Sequence, residues 1–243
     1  MLTNEQFLEV IKKSFSAYLN IDSSRSTPKL KPLHGNIAED LHNLFGKDFS
    51  IQSQGYGTGK EDKIQGRYYP KNVDITIRYK GEVVAGYAVK FIMRNYSQNS
   101  NNYFENMLGE TANIRTSSVP YFQIFIAFDK TPYYKKGGEL YKYDIITQHH
   151  LDKYFVLSKD DTDRFFHVPN KTLIVLLSLK EEDKHCTFLN SKQYADYYKN
   201  IINDTDLIKY STNIPDTFDN SVILNDYAKF IEKTYHIVQG KIK

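Results

Sequence analysis

The chain of 243 residues contains no tryptophan and a single cysteine, Cys186. One cysteine can form no intrachain disulfide and rules out a thiolate zinc cluster, which suits a reducing cytosol. The N-terminus lacks the uninterrupted apolar stretch of a secretory signal. Apolar runs such as Leu173 to Leu177 are far too short to cross a bilayer. A cytoplasmic protein without a membrane partner is the expectation. Internal repeats are lacking, and so is a marked charge bias, since 32 basic and 29 acidic residues leave a net +3. A polyanionic partner would have to be held by a local basic patch, because the total charge supplies little attraction.

Apolar residues make up 40% of the chain, enough to build a core and to exclude wholesale disorder. The 20 tyrosines and 15 phenylalanines fill much of that core. Thr3-Asn4-Glu5-Gln6 reads as a capping box before a helix whose apolar face is Phe7, Leu8, Ile11, Phe15, Tyr18 and Leu19. Ser23 to Pro32 reads as a polar connection. A second helix is predicted from near Asn36 to Phe45, ended by Gly46. On it, Glu39 falls opposite the apolar stripe. The run Gly55-Tyr56-Gly57-Thr58-Gly59-Lys60 invites a phosphate-loop reading and fails it, because the spacing is wrong and Glu61 replaces the hydroxyl residue. A loop whose Lys60 touches a DNA backbone is the alternative to a plain turn.

The stretch from Gly66 to Arg115 organises the rest. Val73 to Tyr79 alternates with a period of two, as does Val83 to Phe91, and Gly81 between them signals a hairpin. A one-residue slip reverses every side chain of a strand. A two-residue loop would pair Asp74 with Tyr87 and send Lys90 to the opposite face. A three-residue loop would pair Asp74 with Ala88 and put Asp74 and Lys90 on one face. The polar stretch Asn95 to Asn102 reads as a loop. Its Asn95, Ser97, Gln98, Asn99, Asn101 and Asn102 are amides and a hydroxyl of the kind that reads base edges. The helix predicted over Asn102 to Ile114 carries Glu110 within its packing stripe, where an acid needs a partner. Glu105 lies off that stripe and nearer Lys90 in sequence. Arg115 follows at the helix end and is a further candidate for DNA contact.

Asp74, thirteen intervening residues and a strand ending Ala88-Val89-Lys90 resemble the PD-(D/E)XK nuclease superfamily, and within it the type II restriction endonucleases. The usual acid two residues before the lysine is absent, since Ala88 stands there. Some restriction enzymes of the superfamily move that carboxylate to the following helix, where this chain has Glu105 and Glu110. The resemblance covers roughly residues 36–128. It implies an α/β (α+β) fold with a central mixed β-sheet flanked by helices, in a single domain over 1–243 whose residues 129–243 supply recognition and dimer contacts. It further implies magnesium-dependent cleavage of double-stranded DNA at a short sequence by a homodimer. Asp74 and Glu105 would hold the metal, with Glu110 or Glu39 assisting and the Val89 carbonyl adding an oxygen, while Lys90 assists the attacking water. Glu105 ranks ahead of Glu110. The alternatives are a repair or modification-dependent nuclease of the same superfamily and a catalytically inactive DNA-binding module.

Beyond this core, Val119 to Phe128 and Thr172 to Leu179 are apolar on both parities and read as buried strands. Lys130 to Gly138 reads as a basic loop whose Lys135 and Lys136 could grip phosphate. Helices are predicted over Asp144 to Phe155, Ser191 to Ile202 and Ser221 to Gln239, the last stopped by Gly240. The adjacent pairs His149-His150 and His185-Cys186 have the wrong spacing for helix-borne metal ligands.

Overall fold

A computed structural model describes residues 1–20, 27–181, 188–214, 218 and 220–242, so the His185-Cys186 pair lies outside the described residues. Helix α1 (Asn4–Leu19) begins as its capping box predicts. The Thr3 hydroxyl accepts from the Gln6 amide at 3.2 Å and the Gln6 side chain accepts from the Thr3 amide at 2.8 Å. Helix α2 (Lys31–Phe45) starts earlier than the expected Asn36, because Pro32 occupies its first turn, where a missing N–H leaves no bond unmade.

The remaining elements follow as β1 (Phe49–Ser53), β2 (Asp62–Gln65), β3 (Pro70–Val73), β4 (Ile75–Tyr79), β5 (Glu82–Ile92), α3 (Tyr96–Arg115), β6 (Tyr121–Phe128), β7 (Lys130–Tyr134), β8 (Leu140–Ile145), α4 (Gln148–Lys159), β9 (Lys171–Leu179), α5 (Ser191–Asn200), β10 (Ile208–Tyr210), β11 (Val222–Leu224) and α6 (Tyr227–Ile242). The fold is mixed α/β. Seven strands form one sheet in the order β1-β4-β5-β6-β9-β10, with β11 also on β9. Pairing is parallel among β5, β6, β9 and β11 and antiparallel at β1, β4 and β10. Two-stranded sheets β2–β3 and β7–β8 stand apart from it.

All eight residues of β6 are buried, as a strand covered on both faces requires. Phe122, Ile124 and Ile126 pack into one core with Phe7, Ile37, Tyr87 and Phe230, which belong to α1, α2, β5 and α6. Phe125 and Ala127 pack on the opposite side with Met107 of α3 and Leu151 and Tyr154 of α4. Among the described residues no helix is long and apolar enough to cross a membrane.

Four segments depart from the sequence expectation, each for a tertiary reason. The polar stretch from Asn95 is helical from Tyr96, because Asp144 accepts from the Ser97 amide at 3.0 Å and from its hydroxyl, and so holds the first turn of α3. The basic stretch from Lys130 is mostly strand, completed by pairing with β8. That pairing also moves the start of α4 to Gln148, and the Thr147 amide donates to His150 Nδ1 at 3.1 Å to cap it. The last predicted helix is divided. Its first residues form β11 on β9, and Asn225, at φ 52°, turns the chain before α6. Gly240 lies inside α6 rather than ending it.

The hairpin joining β4 and β5 fixes the site described below. Its loop is two residues, Lys80 and Gly81, at φ 51° and 86°, the left-handed pair that a tight hairpin needs. Tyr79 pairs with Glu82 and Arg78 with Val83, yet Ile77 pairs with Ala85 and Ile75 with Tyr87. Val84 is therefore an extra residue, a β-bulge. Carried one step past the strand, the shifted register sets Asp74 opposite Ala88. The loop has the even length that was expected to separate Asp74 from Lys90, and the bulge restores the shared face. Deletion of Val84 should abolish cooperative unfolding in urea, because β5 would present its core side chains to the wrong face. Val84→Ala keeps the residue count and should cost only about 2 kcal/mol for its lost methyl groups. A deletion variant as stable as the parent would show that the bulge does not set the register.

Candidate active site

Asp74 sits at the joint where the chain leaves β3 and enters β4. Its carbonyl accepts from the buried Ser53 hydroxyl of β1 at 2.7 Å, and its carboxylate accepts from the Val89 amide of β5 at 2.7 Å. Backbone and side chain are thus each tied to a neighbouring strand. Burial of the carboxyl pushes its pKa up to about 6; the Val89 bond works against that rise, the charge of Glu110 adds to it, and the charges of Lys90 and Lys71 oppose it. Asp74, Glu110, Lys90 and Lys71 therefore share one electrostatic neighbourhood.

Glu110 reaches this place from α3. It pairs with Lys71 at 3.0 Å and accepts from the hydroxyl of Tyr121, which is fully buried at the start of β6. Burial and the adjacent Glu110 charge hold the Tyr121 hydroxyl well above its ordinary pKa, so it stays a proton donor. Burial works to lower the Lys71 pKa, but its bond to Glu110 and the surrounding negative charges outweigh that and raise it. Ala88, the residue without the expected acid, is buried with Ile64, Val73, Ile114 and Tyr121. Glu110 lies one helical turn before Ile114 and brings a carboxylate to the region that Ala88 leaves without one.

Glu105 is exposed, and its charge acts on Lys153 of α4. Five residues along a helix amount to about 7.5 Å of rise and about 140° of rotation, so Glu105 and Glu110 do not face one target. Of the two helix acids it is Glu110, not Glu105, whose charge acts on Asp74. Glu39 is exposed on α2. The same helix instead sends His34 inward. That imidazole is buried against the Val89 backbone, and burial holds its pKa down at about 4 although the Glu61 charge and Val89 raise it. Lys71, Tyr121 and His34 had no motif to mark them. His34 alone had a signal, since it shares the apolar stripe of Ile37 and Leu41 on α2.

The residues expected to touch DNA are scattered. Lys60 is exposed and lines a cleft of about 420 Å³ with Gln52, Thr58 and the Arg78–Asp62 ion pair. Asn95 and Ser97 belong to the start of α3, where Ser97 is bound to Asp144. Asn99 donates to the Asn95 carbonyl at 3.2 Å, and Asn101 accepts from Lys153 at 2.9 Å. Gln98 and Asn102 are exposed. Arg115 is buried, its guanidinium donating to the carbonyls of Thr162, Phe165 and Val168, so it holds a loop instead of facing a ligand. Lys135 and Lys136 are exposed at the turn between β7 and β8, with Lys135 over the Tyr141 ring at 5.6 Å.

Among the described residues no group of three or more His, Cys, Asp or Glu side chains is placed to hold a metal ion. The donor set at Asp74 is two carboxylates, with the Val89 backbone of the neighbouring strand β5 beside it. Magnesium prefers oxygen ligands and retains several waters, so this set fits it. The chain matches no family model, no curated protein and no solved structure.

Because folded Asp74 binds its proton more tightly than the unfolded chain does, its ionised form costs stability. That cost is absent below the ordinary carboxylate value of 3.8 and complete above about pH 6. Asp74→Asn should therefore stabilise the protein by up to about 3 kcal/mol above pH 6, and the gain should fade as the pH drops to about 4. Urea unfolding of both proteins across that range measures it; a gain that grows on acidification would contradict the assignment.

Proposed function

We propose that this protein is a magnesium-dependent endonuclease that hydrolyses phosphodiester bonds of double-stranded DNA, of the PD-(D/E)XK type and within it a type II restriction enzyme. The observation that supports this reading is the convergence of Asp74 and Glu110, from two separate segments, beside Lys90. Two carboxylates close enough for one to raise the other's pKa form a site suited to a cation. Asp74 and Glu110 would hold the metal, with the Val89 carbonyl as a further oxygen. Bound magnesium would lower the pKa of a coordinated water and polarise the phosphoryl oxygen. Lys90 orients the attacking water and stabilises the negative charge that builds on the phosphate. Tyr121 and Lys71 orient Glu110. A homodimer would match a palindromic site through a two-fold interface.

The Lys71–Glu110 ion pair supports a second reading, a catalytically inactive DNA-binding module in which an internal ammonium takes the place of the metal. Digestion of unmethylated plasmid with magnesium present separates the two. The nuclease gives discrete bands; the binding module leaves the plasmid intact and binds it with a steep salt dependence. A nuclease of the repair or modification-dependent kind would cut only damaged or methylated DNA. For the nuclease, Asp74→Asn, Glu110→Gln and Lys90→Ala should each lower the single-turnover rate by about 10²-fold or more. Glu105→Gln should stay within about twofold. Full activity in Glu110→Gln with loss in Glu105→Gln would reverse the ligand assignment.

A further inference from the structure

The hairpin of β2 and β3 ends in Arg67-Tyr68-Tyr69, and both rings point outward, Tyr68 76% and Tyr69 54% exposed. Large exposed aromatics on a loose loop would be unremarkable, but this tip is clamped. The Tyr68 amide donates to Asn113 Oδ1 at 3.0 Å, Asn113 Nδ2 donates to the Tyr69 carbonyl at 3.0 Å, and the Arg67 amide donates to the Asn113 carbonyl at 2.8 Å. Asn113 is itself buried on α3. Gly66 closes against it so tightly that a Cβ there would meet the Asn113 side chain at 2.2 Å. The stem is tied to the same helix three residues earlier through Lys71 and Glu110. Between Asp62 and Asp74 the hairpin carries Lys63, Arg67 and Lys71 and no acid. Asp62 is already neutralised by Arg78 at 2.7 Å.

A hydrogen-bonded, cationic tip with two exposed rings, Tyr68 with the Arg67 guanidinium 6.0 Å from its centroid, anchored beside two carboxylates, has the chemistry of a base-stacking platform. The faces of paired bases are covered by their neighbours, so a ring can stack only on a base that has left the stack. We infer that Tyr68 and Tyr69 stack on an unstacked base of the DNA strand entering the Asp74–Glu110 site, while Lys63 and Arg67 hold the flanking phosphates. The ordering of the tip is already complete in the free protein, so stacking need not pay for it. This inference rests on the DNA-cleaving reading and adds to it a substrate geometry, a strand with one base displaced beside the scissile phosphate.

The test is binding without magnesium, so that no cutting intervenes, of two duplexes. One carries 2-aminopurine as a single-base bulge and the other is fully paired. The protein should bind the bulged duplex more tightly and quench the 2-aminopurine fluorescence. Tyr68→Ala/Tyr69→Ala should weaken binding to the bulged duplex by about tenfold or more and lose the quench, with the melting temperature unchanged. Tyr68→Phe/Tyr69→Phe should retain both, since stacking needs the ring and not the hydroxyl. Lys63→Gln/Arg67→Gln should lower the slope of log affinity against log salt by about 2. An alanine pair that binds and quenches like the parent overturns the inference, as does equal binding of both duplexes without quench, and either leaves the nuclease reading standing. Failure to bind either duplex removes the nuclease reading and the inference together.

Discussion

A single inserted residue, Val84, decides which side chains of β5 lie beside Asp74. A tight two-residue turn on its own gives the pairing that puts Asp74 and Lys90 on opposite faces of the sheet. The bulge cancels that slip while leaving the turn in its preferred left-handed geometry. From that register follow the Val89 amide bond to the Asp74 carboxylate, the burial of Ala88 under α3, and the position of Lys90 within reach of the Asp74 charge. The helix then supplies what the strand lacks. Position 88 carries only alanine, and α3 places the Glu110 carboxylate on Tyr121, which is buried beside it.

The site is electrostatically expensive. Asp74 is desolvated and feels the charge of a second carboxylate, so its ionised form is disfavoured. Part of the negative charge is already balanced by Lys71, which reaches Glu110 from the β2–β3 hairpin one residue beyond the pair that closes its tip. That ion pair joins three features in one mechanical unit: the acid pair, the helix and the aromatic tip clamped by Asn113. A change at Lys71 or Asn113 would be felt at both the acids and the tip.

Sequence periodicity made much of the scaffold legible. The alternating strands on either side of Gly81, the buried run from Val119 to Phe128, the capping box at Thr3 and the mixed α/β class all appear in the structure. The misreadings share one cause, tertiary pairing that local composition does not encode. Asn95 to Asn102 is polar enough for a loop, but a remote Asp144 caps it into helix. Val222–Leu224 could extend a helix, but the edge of β9 takes it as a strand. In the site, Asp74 and Lys90 were readable from strand alternation and motif spacing. Glu110 was readable as an acid on an apolar stripe, although nearness in sequence placed Glu105 ahead of it. Lys71, Tyr121 and Asn113 were not readable, since each acts through a partner more than ten residues away.

The proposed function requires Asp74 and Glu110 to bind one cation together. Manganese binding in the absence of DNA, followed by the electron paramagnetic resonance signal of the free ion, tests it most directly. The parent protein and Glu105→Gln should take up manganese alike, while Asp74→Asn and Glu110→Gln should each lose that uptake. Binding that survives both of these substitutions, or that disappears only with Glu105→Gln, would contradict it.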